Sequence, residues 1–109
     1  MHKYKVGDHV FNTKEEIRSH ISRIVSVPAG SRLSSSDETF VLELLRLRTA
    51  KLLEIGERQI VLIVVDYQAE EPQWTKCVWL VLSDGTRLDV SLYKAVRAIK
   101  PADHLMIGR

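Results

Sequence analysis

Residues 75–96 read TKCVWLVLSDGTRLDVSLYKAV, and this stretch decides the fold. An apolar run precedes Asp84-Gly85-Thr86, and alternating polar and apolar residues follow it. Because glycine tolerates the positive φ that a tight turn requires, the pattern predicts two antiparallel strands, over residues 75–82 and 87–92. Residues 93–99 then predict a short final helix, which ends before Pro101.

The chain before this hairpin predicts one long strand and two helices. Residues 59–67 are rich in β-branched residues and apolar on both alternating sides, which indicates an interior strand. Thr13 and Glu16 have the form of a capping box, and Ile17, Ile21 and Ile24 follow at helical spacing. We therefore predict a helix over residues 14–26, a second over 37–48, a loop over 49–58 and a short strand over 9–11.

The predicted elements follow the order strand, helix, helix, strand, strand, strand, helix. Helices segregated from an antiparallel meander indicate an α+β fold of two layers. We expect an antiparallel β-meander of three to four strands packed against two helices, with a short C-terminal helix. A length of 109 residues with 45% hydrophobic content is suited to a single domain over residues 1–109, with a compact core over about 9–100 and flexible ends.

Composition excludes several classes of protein. The longest apolar run, residues 60–65, is far shorter than the roughly 20 residues that cross a bilayer, so we expect no membrane partner. A single cysteine, Cys77, cannot form an internal disulfide, and a reduced, cytoplasmic location is expected. Four histidines without zinc-ligand spacing and the lack of a glycine-rich phosphate loop lead us to expect no metal and no cofactor.

Catalysis is not predicted either. Asp66, Glu70 and Glu71 lie close to Lys76 in sequence, which invites comparison with magnesium-dependent nucleases. Those enzymes need an acidic residue two positions before the lysine, and that position holds Trp74. Cys77 is expected to be a buried structural thiol. We therefore expect no enzyme and no catalytic residues.

Basic residues are the remaining functional candidates, because the fold gives no reason for them. If they share a face, they would neutralise phosphates and bind nucleic acid. The alternative is a set of solvated surface charges among the glutamates, since the net charge is only +2. The candidates are Lys76 and Arg87 on the hairpin, Lys94 and Arg97 on the last helix, and Lys14 and Arg18 on the first helix as extensions.

Two further alternatives concern the aromatic and apolar residues of the sheet. Trp79 lies within an apolar strand and is expected in the core, whereas Trp74 is the better candidate for exposure and base stacking. A different class of function is a protein interaction module whose partner docks on the sheet edge or on the first helix. One version of it is a homodimer formed through Val78, Leu80 or Trp74.

Several short motifs, taken in order, resemble the defective chloroplasts and leaves (DCL) family, a small domain of plant plastids and bacteria. The resemblance would cover about residues 11–96. It departs from the family pattern at Arg48-Thr49, at Glu54, and at Val90 and Leu92. The resembling motifs are Phe11-Asn12-Thr13-Lys14-Glu15-Glu16, Asp37-Glu38-Thr39-Phe40-Val41, Ile55-Gly56, residues 77–82, Asp84-Gly85-Thr86 and Asp89-Val90-Ser91-Leu92-Tyr93-Lys94.

This resemblance implies a role beyond what the residues alone predict. In plants the family is associated with the maturation of ribosomal RNA in plastids. The resemblance thus implies a nucleic-acid-binding or RNA-processing accessory protein without an established catalytic activity, and it favours RNA over DNA as the partner.

Overall fold

The computed structural model describes residues 4–7, 9–68 and 75–99. The flexible ends expected for the chain, the end of the last helix at Pro101, and Trp74 lie outside these residues. The elements are β1 (Tyr4–Val6), β2 (His9–Phe11), α1 (Lys14–Ile24), α2 (Ser35–Leu45), α3 (Thr49–Ile55), β3 (Ile60–Tyr67), β4 (Lys76–Leu82), β5 (Arg87–Val90) and α4 (Leu92–Ala98).

The predicted hairpin, β4 and β5, forms two of the three strands of the main sheet. β3, β4 and β5 pair as an antiparallel meander in sequence order. Gly85 turns the chain with a φ of 88°, and the Asp84 carboxylate accepts a hydrogen bond from the Thr86 backbone N–H at 3.0 Å. The requirements of the turn thus explain the residues Asp84-Gly85-Thr86. Helices together with antiparallel sheets confirm the α+β fold class.

A short segment over residues 30–33 extends the sheet on its other side. The Gly30 backbone N–H donates to the Val65 carbonyl at 2.6 Å, and the Leu33 N–H donates to the Ile63 carbonyl at 3.0 Å. Arg32 forms an isolated antiparallel bridge with Val64. β3 is therefore flanked on both edges, as its apolar composition predicts, and the sheet has three strands plus this short fourth segment.

Alternation along the strands separates the two faces of the sheet. Val65, Val78 and Val90 share one row and are buried, whereas Trp79 and Asp89 lie on the opposite face. The buried face of the sheet packs against the helices. The largest fully buried side chains of the core between them include Phe40, Ile17, Ile21, Leu44, Ile63 and Leu80. Among the described residues, no polar or charged side chain belongs to this core.

Trp79 corrects the expectation that it belongs to the core. It is only half-buried, because strand alternation turns it away from Val78 and Leu80 onto the outer face. Its indole N–H donates to the Tyr67 carbonyl at 3.1 Å, and the Arg87 guanidinium lies 5.1 Å from its ring centroid. Such a cation–π contact stabilises both side chains at the surface.

Capping residues set the helix starts. The Thr13 hydroxyl accepts from the Glu16 backbone N–H at 3.1 Å, and the Glu16 carboxylate accepts from the Asn12 N–H at 3.1 Å, a variant of the predicted capping box. α1 ends two residues earlier than predicted. α2 begins two residues earlier, because the hydroxyl of Ser34 accepts from the Asp37 N–H at 3.3 Å, and it ends at Leu45 instead of residue 48.

Two elements were missed by the sequence pattern. β1 pairs with β2 as a separate hairpin that turns at Gly7, where φ is 59°. A two-stranded hairpin has little stability of its own, and this one buries Val6 and Phe11 in the core. α3 occupies part of the predicted loop. Because only Ile55 of its residues is buried, α3 lacks the apolar period that identifies a helix.

A cluster of four rings joins the hairpin to α1 and α2. The ring of His20 lies 4.9 Å from that of His9 and 4.5 Å from that of Phe40, and Phe11 completes the cluster. The Nε2 atom of His20 is buried with no hydrogen-bond partner among the described residues. Burial, followed by His9 and Arg23, lowers the pKa of His20 from its ordinary value of 6.5, and Asp37 opposes this shift.

We expect acidification below about pH 6.5 to destabilise the fold through His20. Because its pKa is lower in the folded chain, the unfolded chain takes up the proton first, and protonation favours unfolding. The stabilisation is complete above pH 6.5 and is lost as the pH falls through the folded pKa. Urea unfolding between pH 5 and 8 should show that the free energy of unfolding falls less at acidic pH in His20→Gln than in the wild type. An equal fall in both proteins would show that other titrating groups cause the destabilisation.

Candidate anion-binding cleft

Four of the six predicted basic residues lie on α1 and α4, which pack against each other. The two helices run antiparallel: the Lys14 ammonium donates to the Arg97 carbonyl at 3.4 Å, and the hydroxyls of Ser22 and Tyr93 are hydrogen-bonded at 2.9 Å. Arg18 lies between Lys14 and Ser22 at helical i, i+4 spacing, on the row that borders α4. Its guanidinium pairs with Glu15 at 2.8 Å. We call Lys14, Arg18, Lys94 and Arg97 the α1–α4 surface.

The other two predicted residues lie elsewhere. Lys76 begins β4 and Arg87 pairs with Val81, so the two positions are separated by five residues along the strand, or about 17 Å. Arg87 lies on the outer face of the sheet beside Trp79 and pairs with Asp66 at 3.4 Å. The structure therefore does not bring Lys76 and Arg87 together, and Arg87 is separated from the α1–α4 surface by the sheet.

A cleft of about 410 Å³ opens where β4 begins and β5 ends. Helices α1, α3 and α4 supply its remaining walls. Among the described residues, four basic residues and one acidic residue, Asp89, line it. The basic residues of this cleft are Arg48, Lys51, Lys76 and Lys94.

Each basic side chain reaches the cleft from a different element. Arg48 lies between α2 and α3, where its guanidinium donates to the Ser91 carbonyl at 2.7 Å. Lys51 follows on the first turn of α3, with its ammonium 3.3 Å from the Glu54 carboxylate and its side chain only 18% exposed. The Lys76 ammonium donates to the Val27 carbonyl at 2.7 Å. Backbone carbonyls thus hold Arg48 and Lys76 in place.

Lys94 differs from the other three basic residues of the cleft in its bonding. It is exposed on α4 and makes no hydrogen bond or ion pair with the part of the chain that the structure describes. It belongs both to the α1–α4 surface and to the cleft, which are therefore continuous. The ammonium of Lys94 is available to a ligand.

The sequence pattern did not single out Arg48 and Lys51 as part of a site. Lys51 falls in the predicted loop, and Arg48 in the predicted last turn of helix two. The composition of residues 49–55, with Ala50, Lys51, Leu52 and Glu54, contains good helix formers and was the available signal for α3.

Ser91 and Cys77 also line the cleft. Ser91 occupies the N-cap position of α4, but its side chain makes no capping hydrogen bond. Cys77 is half-buried, and burial, with the nearby Asp89 and Asp66 carboxylates, raises the pKa of its thiol to about 11. The thiol is therefore protonated at neutral pH and is a poor nucleophile.

Other arrangements receive no support within residues 4–7, 9–68 and 75–99. No group of three metal-ligating side chains occurs there, although Glu70 and Glu71 lie outside these ranges. None of the described helices is long and apolar enough to span a bilayer. Val78 and Leu80 are 1% and 0% exposed, so they are unavailable for the predicted dimer contact, and Trp74 lies outside the described residues.

Comparison with a solved structure agrees with the fold. The solution NMR structure of an uncharacterised protein from Rhodospirillum rubrum is similar, with a TM-score of 0.74 and 21% sequence identity over 87% of this chain and 88% of that chain. At this level of identity the similarity establishes the fold alone. A search of curated proteins gave no match.

The family comparison corrects the resemblance to the DCL family. Residues 22–96 match DUF3223, described as proteins of unknown function, and neither this match nor the structural neighbour points to DCL. Several of the motifs behind that resemblance have local structural reasons, such as the cap at Thr13 and the turn at Gly85. The ribosomal RNA role that the resemblance implied therefore loses its basis. The chain belongs to the DUF3223 family of proteins of unknown function.

Proposed function

We propose that this protein is a non-catalytic nucleic-acid-binding domain that contacts phosphates through the cleft and the adjoining α1–α4 surface. The observation that carries this proposal is the convergence of Arg48, Lys51, Lys76 and Lys94 on one cleft whose described lining contains one acidic residue, Asp89. Their positive charge is concentrated in a chain whose net charge is only +2. Such a local concentration attracts anions far more strongly than the net charge would.

The α1–α4 surface supplies a path for more than one phosphate. Lys94 and Arg97 are exposed, and Lys14 reaches the end of α4. Arg18 is partly neutralised by Glu15, and exposed pairs of this kind are weak enough to exchange for a phosphate. Arg87, which pairs with Asp66 on the outer sheet face, is not part of the proposed interface.

Phosphate contacts position a nucleic acid without reading its sequence. We therefore expect weak discrimination among sequences and a strong dependence on salt, because each neutralised phosphate releases counterions. A reducing, cytoplasmic location belongs to this proposal, because the single cysteine of the sequence, Cys77, has no partner for an internal disulfide.

Fluorescence anisotropy with labelled single-stranded RNA, duplex RNA and single-stranded DNA at two salt concentrations tests the proposal. The expected result is saturable binding at low salt that weakens by roughly 0.7 to 0.9 log units per contacted phosphate for each tenfold rise in salt. The relative affinities for RNA and DNA decide which nucleic acid is preferred. No binding at low salt, where electrostatic attraction is strongest, would overturn the proposal and favour a protein partner.

A further inference from the structure

We propose that the cleft holds one unpaired nucleotide, with its phosphate against Lys51 and Lys94 and its base against the apolar wall beneath Tyr93. This inference rests on the proposed function and deepens it, because it names the unit of the strand that enters the cleft. Three features of the cleft support it: its size, its cationic lining residues and its apolar lining residues.

The size of the cleft fits a single small ligand. Its volume of about 410 Å³ lies within the range of small-molecule sites, which is roughly 300–1,000 Å³. A nucleotide fits in such a volume, whereas a base pair held in a duplex does not. A strand would therefore present an unpaired residue to the cleft while its neighbouring phosphates follow the α1–α4 surface.

The charged side of the cleft is prepared for a phosphate. Lys94 has no partner among the described side chains and backbone groups, and Lys51 is held only by Glu54 at 3.3 Å. Because Lys51 is 18% exposed, its charge is poorly screened by water and its attraction for an anion is strengthened. Arg48 and Lys76, which are bound to backbone carbonyls, add positive charge to the same walls.

The apolar side of the cleft suits a base. Val25 at the C-cap of α1, Val90 at the end of β5 and Leu92 at the start of α4 contribute to its lining. Tyr93 is 40% exposed, and its hydroxyl is held by Ser22 at 2.9 Å, which restricts the ring. A restrained aromatic ring is a suitable stacking surface for an unpaired base.

NMR titration of the ¹⁵N-labelled protein tests the inference with adenosine 5′-monophosphate, adenosine, inorganic phosphate and a single-stranded RNA pentanucleotide as separate probes. We expect the monophosphate to shift the amide signals of Thr75, Cys77, Ser91 and Tyr93 in a saturable manner, and more tightly than adenosine or phosphate alone. The variant Lys51→Met/Lys94→Met should weaken this binding about tenfold or more, since hydrogen bonds to charged groups are the strong ones.

A matched variant, Lys5→Met/Arg46→Met, removes two charges from exposed positions that are not among the cleft residues, and it should bind the monophosphate as the wild type does. If the pentanucleotide shifts only the signals of the α1–α4 surface, the proposed function stands and the nucleotide cleft is wrong. If the monophosphate shifts the cleft signals but the pentanucleotide does not bind, free nucleotide is the ligand and the proposed function is wrong. Absence of any shift would overturn both.

Discussion

Phe40→Ala is expected to lower the free energy of unfolding by about 3–5 kcal/mol, as truncation of a buried phenylalanine typically does. Phe40 is 1% exposed, and its ring contacts those of His9, Phe11 and His20 at centroid distances of 5.6, 6.0 and 4.5 Å. The truncation leaves a cavity where the β1–β2 hairpin, α1 and α2 meet. Because domains of this size have a total stability of about 5–15 kcal/mol, the loss is a large fraction of it.

Urea unfolding followed by circular dichroism measures this effect. Leu42→Ala on the same helix is the matched control, because Leu42 is 38% exposed and its truncation removes few core contacts. Phe40→Leu should lie between the two, since it retains much of the buried volume. A loss below about 1 kcal/mol in Phe40→Ala would show that the ring cluster does not hold the hairpin to the helices, given the usual cost of such truncations.

Charge reversal of Lys94 and Arg97 is expected to weaken nucleic-acid binding by roughly a hundredfold at low salt and to reduce the salt slope by about 2 in magnitude. Both side chains are exposed on α4, and neither side chain forms an ion pair within the described chain. A glutamate near the start of the helix is favoured by the helix dipole, and one near its end is disfavoured. These effects oppose each other, so the melting temperature of Lys94→Glu/Arg97→Glu should change little.

Anisotropy titrations at several salt concentrations measure the slope, and thermal unfolding measures the stability. Lys5→Glu/Arg46→Glu makes the same change in net charge outside the α1–α4 surface and the cleft. It should weaken binding much less. If both double variants bind equally weakly, the net charge and not the proposed interface determines the affinity.

Much of the fold was predictable because its signals are local. The turn at Asp84-Gly85-Thr86 needs only a glycine with positive φ and an acceptor side chain, and both are adjacent in sequence. Thr13 and Glu16 likewise form their cap within one helical turn. Elements without such a signal were missed. α3 buries one residue, and β1 is three residues long and depends on the core beneath it.

The candidate site was predicted in part. Lys14 reaches the backbone carbonyl of Arg97 because α1 and α4 pack side by side, and Lys94 and Arg97 are exposed on α4. Lys76 lines the cleft with Lys94, whereas Arg87 does not, because the register of β4 with β5 places Lys76 and Arg87 at opposite ends and on opposite faces of the strand pair. Trp79 lies outside the core because side chains alternate along β4, and its neighbours Val78 and Leu80 occupy the buried row.

The sequence by itself determined the periods, caps and turns, which depend on residues within a few positions of one another. Only the tertiary structure decided which cations share the cleft. Arg48 and Ser91 are 43 positions apart and Lys76 and Val27 are 49 apart, yet each pair is joined by a hydrogen bond of 2.7 Å. No local pattern encodes such contacts, because they form only when burial of the apolar faces brings separate helices and strands together.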